Sequence, residues 1–72
     1  MNTSDFGRQL FTYWMIVAYV RANGYPPTKE ELAYQRGLSV KTIYTHLRQL
    51  EARGYIYRAN GWRNIRLKEQ VA

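Results

Sequence analysis

Two capped helical segments joined by a Gly37-Leu38-Ser39 turn, then an alternating stretch that begins after Gly54, predict an α+β fold. With a longer helix ahead of them, these features describe a small winged helix-turn-helix, three helices plus a C-terminal β-hairpin wing. The 72 residues read as a single domain, 1–72, with no internal repeat, low-complexity tract or dividing linker.

Asn2, Thr3 and Ser4 offer caps, Asp5 suits the positive end of a helix, and no breaker follows Gly7 until Gly24. The first helix is therefore expected over about residues 4–22. Phe6, Leu10, Tyr13, Val17 and Val20 recur at three-and-four spacing and form the expected core face. Phe11, Trp14, Met15 and Ala18 lie beside that stripe and exceed what a three-helix core covers. They are the expected contact of a homodimer through this helix, unless the C-terminal strand or hairpin folds over them.

Pro26-Pro27 cannot continue a helix and favours an extended link, a candidate for a short strand beside the later hairpin. Thr28 and Glu31 form a capping box for a short second helix ending at Gly37, where a left-handed residue is needed. Ser39 caps the third helix, about 40–53, with Val40, Ile43, Leu47 and Leu50 on its buried side. Its other side carries Lys41, Thr42, Thr45, Arg48, Gln49 and Ala52. Tyr55 to Arg58 then form a strand, Asn60-Gly61 a two-residue turn, and Trp62 to Leu67 the return strand of a wing over 55–67. Ile56, Ile65 and Leu67 are expected to face the helices, and residues 68–72 to trail beyond.

The formal charge of +6 is unevenly placed: residues 1–35 carry three basic and three acidic side chains, residues 36–72 eight and two. Spread around the third helix and the hairpin, that excess points to a polyanionic partner, against the alternative of a merely solvated basic surface. No cysteine is present, so a disulfide framework and thiolate metal sites are excluded and a cytoplasmic location is expected. The longest apolar run, Tyr13 to Val20, is too short to span a bilayer, so no membrane partner is expected.

The exposed residues at the start of the third helix are small or polar enough to let its backbone approach base edges in a major groove. Ser39, Lys41, Thr42 and Thr45 are the base-reading candidates. Thr28 at the amide end of the second helix, with Tyr44, Arg48, Arg58, Asn60, Trp62 and Arg63, are the candidates for the DNA backbone. His46 has no second histidine, cysteine or close carboxylate, so no metal or cofactor is expected. Glu30 and Glu31 point in different directions on a helix, and no nucleophile grouping or phosphate loop accompanies them, so no enzyme is expected.

These residues resemble a family, the N-terminal DNA-binding domains of LexA-type repressors. The resemblance rests on Arg8-Gln9, Gly24-Tyr25-Pro26-Pro27-Thr28, Glu31-Leu32-Ala33 and Gly37-Leu38-Ser39, and continues in His46-Leu47, Leu50-Glu51, Gly54-Tyr55-Ile56 and Ile65-Arg66-Leu67. It implies a three-helix winged fold, operator binding by the third helix and support from the hairpin. The chain departs from the family in a turn before the third helix that is shorter by about a residue, and in Arg36, where a leucine is usual. The self-cleaving C-terminal domain of those repressors is not expected here, leaving a reader without that switch.

The resulting expectation is a bacterial or phage transcription regulator that binds specific sequences of double-stranded DNA. The alternative is a winged-helix protein-interaction module, an inhibitor or adaptor with a protein partner on the first helix or the wing.

Overall fold

The computed structural model describes residues 3–68, so the candidate cap Asn2 and the trailing residues 69–72 lie outside the described residues. Three helices, α1 (Thr3–Asn23), α2 (Lys29–Arg36) and α3 (Val40–Ala52), precede two strands, β1 (Ile56–Arg58) and β2 (Ile65–Leu67). This is a small winged-helix α+β fold.

Local chemistry sets each boundary. Thr28 Oγ1 accepts the Glu31 amide at 3.1 Å while the Glu31 carboxylate accepts the Thr28 amide at 2.9 Å, closing the capping box of α2. Gly37 ends α2 at φ 68°, a left-handed conformation that a side chain disfavours. Two residues later Ser39 Oγ accepts the Thr42 amide at 3.1 Å and starts α3.

Ile16 of α1, Leu32 of α2, and Ile43, Leu47 and Leu50 of α3 lose all solvent exposure, and Ile56 and Ile65 close the core from the hairpin. Leu67 packs half-buried beside them. The α3 helix packs on α1, α2 and β1 together, so the core fixes one of its faces and frees the opposite one.

The buried face of α1 is rotated from the expected stripe. Of that stripe only Tyr13 is buried, whereas Thr12 and Ile16 are fully enclosed. A threonine is tolerated at the centre because other helices satisfy its hydroxyl: His46 Nδ1 lies 2.9 Å from Thr12 Oγ1, and Arg36 Nε donates to it at 3.1 Å. Val40, expected in the core, is 38% exposed, because it opens α3 one turn before Ile43 enters the interior. His46 takes a buried position instead.

The wing also differs from expectation. The strands pair antiparallel, Ile56 with Leu67 and Arg58 with Ile65, and the Ala59 amide reaches Asn64 O at 2.7 Å. The connection is thus the four-residue loop 60–63, not a two-residue Asn60-Gly61 turn. A two-residue type I′ turn needs positive φ at both central residues, and only Gly61, at 105°, has it. Among the described residues the sheet has two strands, so the Pro26-Pro27 link is not a third. The Arg63 side chain fastens it instead, Nη1 donating to Pro26 O at 2.8 Å.

Candidate nucleic-acid interface

The amphipathic pattern of α3 determines what can meet a ligand, because Ile43, His46, Leu47 and Leu50 hold one side against the protein. Ser39, Lys41, Thr42, Thr45, Arg48, Gln49 and Ala52 are all exposed on the other. The hairpin does not cover them. Ser39 Oγ donates to Thr42 Oγ1 at 3.0 Å, and Thr45 Oγ1 donates to Lys41 O at 3.2 Å, so the hydroxyls are held close to the helix. The Lys41 ammonium makes no hydrogen bond or ion pair among the described residues. The face offers donors and methyl groups without bulk, the requirement for contact with base edges.

Beside it, Tyr44 brings three cations together from three elements. The Lys29 ammonium of α2 lies 5.6 Å from its ring centroid, the Arg48 guanidinium of α3 6.0 Å, and the Arg58 guanidinium of β1 5.6 Å. The negative face of the ring attracts each of them and offsets part of their mutual repulsion. Sequence reading found Tyr44, Arg48 and Arg58 but not Lys29, whose position next to the α2 cap was the available signal.

Other candidates are engaged within the protein. The Thr28 amide and hydroxyl oxygen both belong to the capping box, and the residue is 7% exposed. The Arg63 guanidinium meets the Glu31 carboxylate at two points, Nη1 to Oε1 at 2.8 Å and Nη2 to Oε2 at 2.9 Å. The rings of Tyr25 and Trp62 each sit 4.6 Å from the same guanidinium. Chiefly because of Arg63, and then the Thr28 amide, Glu31 is held at a pKa of about 2, and the same pairing raises that of Arg63. Tyr19 donates to Glu31 Oε1 at 3.1 Å and completes this clasp, burial pushing its own hydroxyl pKa up. Glu31 and Tyr25, missed as wing supports, are legible only once the loop is folded.

At the wing tip Asn60 is exposed and Trp62 is 76% exposed, one ring face occupied by Arg63. On α1, Phe11 and Trp14 are 58% and 59% exposed, Ala18 is exposed, and Met15 packs partly against the core. The hairpin therefore leaves Phe11 and Trp14 uncovered. The Arg36 guanidinium lies 4.6 Å from the Phe11 ring, and Arg36 Nη2 donates to Arg8 O at 3.3 Å. This residue, unusual for the resemblance, thus ties α2 to α1. Among the described residues no cluster suited to a metal ion occurs, and no helix is long and apolar enough to cross a membrane.

The chain is 41% identical over 49 residues to a LexA repressor of Leptospira biflexa, covering 68% of this chain and 24% of the relative. It is 38% identical over 53 residues to the LexA repressor of Syntrophobacter fumaroxidans, covering 72% and 25%. The LexA repressor of Carboxydothermus hydrogenoformans is 46% identical over 44 residues, covering 60% and 22%. The chain spans about a quarter of the length of these curated relatives. The model of the LexA DNA binding domain matches residues 7–63, which takes in α2, α3, β1 and most of α1, so this chain belongs to the LexA DNA-binding-domain family.

Proposed function

We propose that this domain binds specific sequences of duplex DNA and regulates transcription, with α3 in the major groove and the wing against the backbone. The observation that carries the proposal is the uncovered polar face of α3, bordered by cations and free of any hairpin lid. Ser39, Lys41, Thr42 and Thr45 read base edges: lysine donates to guanine, and threonine uses its hydroxyl on a purine or its methyl on thymine. Arg48, Tyr44 and Arg58 contact the backbone beside α3, the N-terminal turn behind Thr28 faces the same strand, and Asn60 and Trp62 touch it from the wing. Arg63 supports that wing from within.

A single module of this kind buries about 600–1,000 Å² against DNA, which favours two copies on half-sites about one helical turn apart. The exposed Phe11 and Trp14, with Met15 and Ala18, are the surface proposed for pairing two copies.

Selection of bound duplexes from a random pool tests the function. Enrichment of a common sequence supports it, and a palindrome supports the pair. Binding that ignores both sequence and salt contradicts it, because about five neutralised phosphates give a log–log salt slope near −4.5.

A further inference from the structure

We infer that Lys29, Arg48 and Arg58 form one clamp for DNA backbone phosphate, organised by the ring of Tyr44. This deepens the DNA-binding reading and rests on it. Three cations from α2, α3 and β1 each stand within 6.0 Å of one ring centroid, so they address the same short stretch of backbone. The ring is 42% exposed, which leaves the group open to a ligand.

Arg58 supplies a second, independent observation. Its Nε and Nη2 are shielded from solvent and donate to nothing among the described residues. The nearest carboxylate, Glu51, stands 4.0 Å from Nε, beyond hydrogen-bond length. An arginine in that state has donors to spare, and a phosphate that draws the guanidinium toward α3 satisfies them. Arg63 differs, since its donors already meet Glu31 and Pro26. Arg58 and Arg63 therefore divide the work: Arg58 meets the phosphate and Arg63 fixes the loop.

The test is the salt dependence of binding to a 16-base-pair duplex of mixed sequence, for the whole chain and its variants. Lys29→Gln, Arg48→Gln and Arg58→Gln should each flatten the log–log slope by about 0.9, and the triple variant by about three times that. Arg21→Gln, an exposed cation at the end of α1, should not. Tyr44→Ala should lower affinity and flatten the slope together, whereas Tyr44→Phe gives up only the hydroxyl's own backbone contact and keeps the slope, because the ring face gathers the cations.

A wild-type slope near zero overturns the DNA-binding reading and the clamp with it. A steep wild-type slope that survives in the triple variant overturns the clamp alone. A slope flattened in Tyr44→Phe as much as in Tyr44→Ala also overturns it, by moving the gathering of the cations to the hydroxyl. Thermal melts of each variant separate these results from unfolding.

Discussion

Arg63 in the wing loop and Glu31 in α2, 32 positions apart in sequence, join through two parallel hydrogen bonds of 2.8 and 2.9 Å. The pair binds the wing to the cap of α2, since Glu31 also accepts the Thr28 amide. One carboxylate thereby holds both the start of a helix and the position of the hairpin.

Removing that carboxylate should loosen both. Glu31→Gln is expected to lower the melting midpoint and speed amide exchange at Thr28 and along the 60–63 loop. Hydrogen exchange confined to the loop, with the Thr28 amide unchanged, would separate the two roles and contradict the account.

The same residue sets an acid limit. Its folded pKa, about 2, lies below the ordinary 4.5, so its stabilisation is complete above the ordinary value and is lost as pH falls toward 2. Melting midpoints measured from pH 6 to pH 2 should fall over that window and fall less steeply in Glu31→Gln. Identical profiles for the two proteins would show that the pair contributes nothing.

His46 adds a second dependence at higher pH. Burial, then the nearby charges of Arg36 and Arg8, hold its pKa below the usual 6.5. The neutral ring is the one the fold accepts, so stability is full above the ordinary value and declines as pH drops through the folded one. His46→Gln should flatten the melting profile below about pH 6.5, and nuclear magnetic resonance titration of the ring should give a depressed midpoint.

Thr12 is the polar centre of the contact among the three helices. Replacing it by valine leaves Arg36 Nε and His46 Nδ1 without their partner, a loss of about 1–3 kcal/mol. Urea denaturation should detect it as a lower midpoint at unchanged slope. A neutral result would mean that water replaces the hydroxyl without cost.

Among the described residues Glu51 is the one carboxylate paired with a cation of the phosphate clamp, at 4.0 Å from Arg58. Glu51→Gln should tighten binding to duplex DNA several-fold at low salt by removing a negative charge from the interface. Weaker binding would instead indicate that Glu51 positions Arg58.

Most of the scaffold was legible because its signals are local. Thr28 with Glu31, Gly37 and Ser39 determine their own backbone geometry, so helix boundaries and the turn follow from neighbouring residues. The polar face of α3 was equally readable, since 3.6-residue periodicity puts Lys41, Thr45 and Arg48 opposite Ile43, Leu47 and Leu50. What escaped depends on distant partners. Thr12 is core only because Arg36 and His46 reach it, and the loop that holds Asn60-Gly61 also carries Arg63, whose partner Glu31 lies far away on α2. Lys29 joins Tyr44 only when α2 and α3 are packed together.

Amide chemical-shift mapping during titration with a duplex enriched from a random pool tests the proposed role of α3 most directly. The account predicts that the largest changes fall on residues 39–49, with smaller ones at Lys29, Arg58 and the 60–63 loop. Changes centred on Phe11 and Trp14 with residues 39–49 unmoved would contradict it.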